Sequence, residues 1–199
     1  MRLALALVAS LTGATALAQS PPTQPVQTET QGRTLQWFPV PANARFITGD
    51  TWEANGLTFR LYGVQSCLRG SLFTNNSGQK RDCGEASLAV LASYIKDLAP
   101  QCFVITSDKA RNLVHVSCVA VLQQGASAGS RLDLGMMMVS TGWAFAALTA
   151  EGKAVHDPYL VGQLTAQKGR KGLWQFADSP DPNKTLLNAI RSGQGAPSR

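Results

Sequence analysis

The chain has 199 residues, with 18 Lys and Arg against 12 Asp and Glu and a formal net charge of +6. The excess favours polyanions such as nucleic acid, acidic glycans or membrane surfaces, but the basic residues are scattered and the preference is weak. With only two histidines and no close carboxylate pattern around them, a histidine metal centre or a Ser/His triad is poorly supported.

Met1-Arg2, the apolar run 3–11 and Ala16-Leu17-Ala18 before Gln19 read as a secretory signal peptide over residues 1–18. The run is short for a bilayer span. An uncleaved anchor is the alternative reading, and no other segment is long and apolar enough to cross a membrane. No cysteine follows the expected cut, so a lipid anchor is not indicated. Residues 19–34, rich in Gln, Pro and Thr, read as a flexible leader. Composition is globular over 35–176, a length that suits one domain. Residues 177–199 read as a polar C-terminal tail, with room for a short helix over 185–191. The export signal places the protein in the periplasm or outside the cell.

Arg45-Phe46-Ile47 predicts a first core strand. Trp52-Glu53-Ala54 and Leu57-Thr58-Phe59-Arg60-Leu61 flank Asn55-Gly56, a strong signal for a type I′ hairpin. Leu57, Phe59 and Leu61 alternate with Thr58, Arg60 and Tyr62, so Arg60 faces away from the apolar side. Leu88, Leu91, Ala92 and Ile95 recur at helical spacing over 84–98, and Pro100 ends that helix. A second helix starts at Asp133 and stops at Gly142. A third opens at Asp157-Pro158 and runs to about Gly169. Trp143 and Trp174 read as core, Met136-Met137-Met138 as packed helix surface, and Lys168, Arg170 and Lys171 as the solvated end of the third helix.

Four cysteines in an exported chain most simply form two disulfides. A hairpin centred on Ala110 sets Cys102 opposite Cys118, which leaves Cys67 with Cys83. The second bridge closes a loop containing Asn75-Asn76-Ser77-Gly78 and is worth roughly 3 kcal/mol in the chain-entropy model. The alternative, a four-thiolate metal site, lacks close Cys-x-x-Cys pairs. Three strands, a helix, two strands and then helices make the fold class α+β. A five-stranded oligonucleotide/oligosaccharide-binding (OB) barrel with about three packed helices is the natural candidate. Periodicity leaves another α+β arrangement open.

The chemistry is concentrated in Thr48-Gly49-Asp50-Thr51 and in Arg60-Leu61-Tyr62-Gly63-Val64-Gln65. An acidic turn beside an arginine strand suits metal-assisted phosphodiester chemistry. The first segment resembles the Asp-Gly-Asp-Thr turn of the staphylococcal-nuclease-like (thermonuclease) family, with its first Asp replaced. The second resembles the family's arginine strand. Cys83-Gly84-Glu85-Ala86 is similar to the start of its helix, and Asp108-Lys109-Ala110-Arg111 to its Asp-x-x-Gly-Arg turn. Asp133-Leu134, Val139 and Gly142-Trp143-Ala144 resemble its Asp-Leu…Val…Gly-Trp-Ala segment, and Gly172-Leu173-Trp174 its closing Gly-Leu-Trp. The likeness runs from about Arg45 to Trp174. Within it, residues 60–68 and 142–147 resemble nuclease-like proteins encoded with succinoglycan biosynthesis functions in rhizobia.

The resemblance implies a calcium-dependent phosphodiesterase ancestry, with carboxylates holding a hard cation and two arginines on phosphate oxygens. Carried over, Asp50 is the surviving metal carboxylate, Arg60 the first arginine and Arg111 the second. The ordinary alternatives are a surface strand residue for Arg60 and a hairpin-turn residue for Arg111, whose turn is one residue short and lacks the glycine. The family's Asp-x-Pro-Glu run is here Gln65-Ser66-Cys67-Leu68. A neutral amide replaces a metal carboxylate, and an alkyl side chain replaces the base. Losing a general base costs about 10²–10⁴ in rate, so classical nuclease activity is expected to be greatly reduced or absent. Recruitment of Asp82 or Glu85 in its place is disfavoured by their helix-start and disulfide neighbourhood.

The expectation is therefore an exported protein with a degenerate nuclease site. It acts as an accessory in envelope or exopolysaccharide biosynthesis or as a binder of a polyanion (nucleic acid or acidic polysaccharide) or an envelope protein. The alternative is an active, divergent, calcium-dependent secreted nuclease. No cofactor is expected; calcium enters only with retained nuclease activity.

Overall fold

A computed structural model describes residues 35–193. The signal-peptide and leader readings, on residues 1–34, lie outside the described residues, as does the end of the expected tail. Alternating apolar and polar side chains build a curled sheet from β1 (Phe38–Pro39), β2 (Arg45–Thr48), β3 (Thr51–Ala54) and β4 (Leu57–Leu61) onward. Phe46, Trp52 and Phe59 are cross-strand partners, and Trp52 is fully buried. Asn55 and Gly56 both take the left-handed backbone that a type I′ turn demands, with φ of 52° and 75°.

The chain then forms β5 (Val64–Gln65), the hairpin β6 (Leu72–Thr74) and β7 (Lys80–Asp82), and helix α1 (Cys83–Leu98). Asp82 caps α1 by accepting from Glu85 N at 3.0 Å, and Ala99 closes it in the left-handed conformation, just before Pro100. After α1 come β8 (Gln101–Asp108), a 3₁₀ turn over Lys109–Arg111, and β9 (Leu113–Val121). Cys102 and Cys118 are register partners in this hairpin and are bonded, as are Cys67 and Cys83.

β4 pairs in parallel with the first half of β9, with Arg60 opposite His115. Where β4 ends, β10 (Arg131–Asp133) takes over the same side of β9. The sheet path is β1-β8-β9-β4-β3-β2, with β10 on β9. The sequence predicts five strands; this sheet has seven because two- and three-residue segments, β1 and β10, add to its long members.

Helix α2 (Leu134–Ser140) is capped by Asp133, which accepts from Met136 N at 2.7 Å. Met138 is fully buried, so this methionine is core rather than helix surface. β11 (Phe145–Ala146) pairs with β5, and α3 (Asp157–Lys168) packs its Tyr159 inward, where the phenol donates to Asp133 Oδ1 at 2.6 Å. A 3₁₀ turn over Gly172–Gln175 precedes α4 (Pro182–Arg191). The fold is thus mixed α+β, a curled sheet with four helices among the described residues.

The segment read as a polar tail differs from that reading. Asp181 caps α4, Pro182 opens it, and Leu186 is only 5% exposed. Burying one such side chain contributes about 1.5–3 kcal/mol, which helps dock a short helix.

Candidate functional site

Asp50 sits in the β2–β3 turn because its neighbour Gly49 lets that turn lie directly on α1. A Cβ at Gly49 would come within 2.2 Å of Ser87 Oγ. The Asp50 backbone carbonyl accepts from Leu61 N at 2.9 Å, which fixes the turn against β4. The carboxylate that results is 2% exposed and fully engaged. Oδ1 accepts from the hydroxyls of Thr48 at 2.5 Å, Thr51 at 3.0 Å and Ser66 at 3.1 Å. Oδ2 accepts from Arg60 Nε at 3.0 Å and Ser66 N at 3.3 Å, with Arg60 Nη2 in ion-pair contact at 2.9 Å.

Arg60 is equally committed. Its Nη2 also donates to Gln65 Oε1 at 2.9 Å, while Gln65 Nε2 donates to the Ser66 carbonyl at 2.9 Å. The position where the resemblance places a second metal carboxylate therefore holds an amide oxygen facing the guanidinium. Neutral Gln65 makes that contact without a second buried negative charge, which would need its own partner. The whole forms a clamp tying the β2–β3 turn to β4 and to the start of the loop after β5.

That loop is fixed from behind. The Cys67–Cys83 bond joins it to the start of α1, and its backbone presses on the helix so closely that a Cβ at Gly84 would meet Arg69 N at 2.5 Å. Leu68 is 58% exposed and lines a cleft of about 710 Å³ whose floor is the clamp. The opposite wall comes from Pro180, Pro182, Thr185 and Leu186, joined by Leu148 and Ala150. Sequence reading allowed a short helix over 185–191 but did not place it on the cleft. Its signal was Asp181-Pro182, an N-cap followed by a first-turn proline, ahead of Leu186 and Ile190 at helical spacing.

β11 carries the wall. Ala146 donates its N–H to Gln163 Oε1 at 2.8 Å, and its carbonyl accepts from Asn183 Nδ2 at 2.7 Å. Two side chains, one from α3 and one from α4, thereby satisfy both backbone groups of a residue whose strand pairs with Gln65 and Val64. Upstream, Asp178 accepts from Thr74 N at 2.9 Å, Thr74 Oγ1 at 2.7 Å and Lys80 Nζ at 3.0 Å. These donors hold its carboxyl well below the usual carboxylate range.

The other sequence candidates lie elsewhere. Arg111 is 79% exposed, pairs with Asp108 at 3.6 Å, and lines a shallow hollow beside Asn55 and Gly56. Strand pairing sets His115, four residues later, opposite Arg60, so Arg111 sits on the order of 10 Å further along the sheet. The structure does not bring the two arginines together. Glu85 pairs with Arg69 at 2.7 Å, and Asp82 caps α1 and accepts from Gly70 N at 2.6 Å. Burial pushes the Asp82 carboxyl up, but the N–H groups of Glu85, Gly70 and Gly84 and the Arg69 charge outweigh it and hold the group low. Both carboxylates are thus occupied outside the cleft. His115 is held below the ordinary imidazole value by burial and by the Arg60 charge, against the pull of Asp50 and Asp108. His156 packs edge-on against Tyr159 at the start of α3.

The donor set does not fit a calcium ion. Calcium takes 6–8 oxygen ligands. The cleft floor offers one carboxylate whose lone pairs are filled by six protein contacts, two of them from a cation. No protein-family model matches the chain, and none of the curated proteins does.

Proposed function

We propose that the chain is an exported protein built on an OB barrel of the staphylococcal-nuclease-like kind, whose ancestral phosphodiesterase site has become a structural clamp. In this reading it works by binding rather than by hydrolysis, as an accessory in envelope or exopolysaccharide production or as a module for a polyanion or an envelope protein. The observation that carries the reading is the Asp50 carboxylate, filled on both oxygens by Thr48, Thr51, Arg60 and Ser66. A carboxylate in that state neither binds a hard cation nor accepts a proton from water, and Leu68 supplies no base in its place. Two disulfides support an oxidising compartment such as the periplasm or the exterior.

Among the described residues Arg60 is the only cation lining the cleft, and it is paired. Polyanion contact in this reading falls instead on the exposed Lys168, Arg170 and Lys171 at the end of α3. Such binding weakens steeply with salt.

The test is digestion of DNA and RNA by the disulfide-intact protein, with calcium and with chelator. The expected result is no calcium-dependent cleavage, and none from Gln65→Asp combined with Leu68→Glu, because the loop is fixed on α1 and Arg111 lies away from the cleft. Robust calcium-dependent cleavage that Asp50→Ala abolishes would establish the active-nuclease alternative.

A further inference from the structure

We infer that the cleft takes a compact, non-anionic molecule with hydrogen-bond donors on one side and an apolar flank on the other, and that α4 is the wall that selects it. This rests on the reading of the site as a binding cleft rather than a hydrolytic one.

Size comes first. About 710 Å³ falls within the roughly 300–1,000 Å³ of small-molecule sites. Pro180, Pro182, Thr185 and Leu186 line that space together with the clamp residues.

Charge comes second. Arg60 is neutralised by Asp50 at 2.9 Å. The remaining charged lining residue, Asp181, lies at the N-terminus of α4, where its Oδ1 accepts from Asn183 N at 3.0 Å and Lys184 N at 3.3 Å. Helix-end N–H groups and the dipole offset a carboxylate at that place. The cleft therefore offers no spare positive charge to an anion.

Hydrogen-bonding polarity comes third. The Thr48, Thr51 and Ser66 hydroxyls have each spent their one proton on Asp50. A hydroxyl keeps its acceptor lone pairs when its proton is used, so these three line the floor as acceptors. They match ligand O–H or N–H groups and repel the acceptor-only oxygens of a phosphate or carboxylate. Leu68, Leu148, Ala150 and Leu186 add hydrocarbon to the same lining.

A matched pair of probes isolates these features: 1,2-hexanediol and hexanoate share a six-carbon chain and differ in a neutral donor head against an anionic acceptor head. Methyl signals of Leu68, Leu148 and Leu186 are followed by NMR on the disulfide-intact protein. The diol is expected to shift them saturably, in the millimolar range that suits so small a ligand, with hexanoate at least about tenfold weaker. An unmoved spectrum with the diol, or equal or tighter binding of hexanoate or inorganic phosphate, overturns the inference. Thr185→Trp, at an exposed position of α4 facing the cleft, is expected to abolish the diol response while the melting temperature stays within a few degrees. A diol response that persists in this variant removes α4 as the wall. Nucleic-acid cleavage would defeat the parent reading, whereas hexanoate preference without cleavage defeats only this inference.

Discussion

The floor and the wall of the cleft are made of different material. The floor is short-range: Thr48, Asp50, Arg60, Gln65 and Ser66 fall within nineteen residues and are joined by a hairpin and its return loop. The wall is long-range, with Asn183 reaching back to Ala146 of β11 across the intervening α3 and Leu186 buried beside it in the sequence. The floor is held by a buried ion pair and hydroxyls, the wall by the Asn183 amide, the buried Leu186 and the exposed Asp178 bonds to Thr74 and Lys80. The contrast teaches that a site's charged centre can be locked while its shape is set by a segment docked on a few contacts.

The largest effect that sharpens this contrast is Asp50→Asn. Removing one partner of a buried, hydrogen-bonded pair costs about 3–5 kcal/mol, toward the lower end here because the Arg60 side chain is 24% exposed. Urea unfolding without added metal measures it, and Asp50→Asn with Arg60→Gln should cost less than the sum of the two single changes. Replacing both Cys67 and Cys83 by Ser comes next, at roughly 3 kcal/mol, with faster proteolysis of the loop after β5.

On the wall, Asn183→Ala leaves the Ala146 carbonyl without its partner and costs about 1–3 kcal/mol. Cleavage should rise first within residues 177–191, while hydrogen exchange in β9 stays slow. An equal loss of protection in β9 would erase the distinction between floor and wall.

The pH effect is smaller. His115 has a folded value below its unfolded one of about 6.5. The unfolded chain therefore takes up the proton first, and stability is unaffected above that pH and falls below it. His115→Gln should flatten this step. Asp82 and Asp178, both held low in the fold, contribute stability that is present above the usual carboxylate range and lost at lower pH still, so the acid titration has two separable windows. Smallest of all, Arg111→Ala should change stability by no more than about 0.5 kcal/mol.

Much of the architecture was legible because it is local. Asn55-Gly56 announced its turn, Pro100 the end of α1, Asp157-Pro158 the start of α3, and the spacing about Ala110 paired Cys102 with Cys118. The strands β1 and β10 were not legible, since two or three residues carry no period and are defined only by the edges they meet. In the site, the sequence singled out Asp50, Arg60, Gln65 and Leu68 but not the direction of their hydrogen bonds. The hydroxyls of Thr48, Thr51 and Ser66 give no signal until the turn closes on β4. Arg111 went astray because the resemblance placed it by order along the chain, whereas the pairing of β9 with β4 sets its place on the sheet. α4 was legible in part: Asp181-Pro182 and the spacing of Leu186 and Ile190 announce a short helix, but nothing local shows that Asn183 reaches back to β11.

The central claim is that the Asp50 oxygens are filled by protein donors, and a calcium titration of thermal unfolding tests it most directly. A ligand that binds only the folded state raises stability by about 2.7 kcal/mol at one hundred times its dissociation constant. The account predicts no saturable calcium-dependent rise in Tm for the disulfide-intact protein at millimolar calcium. A saturable rise that disappears in Asp50→Asn would contradict it.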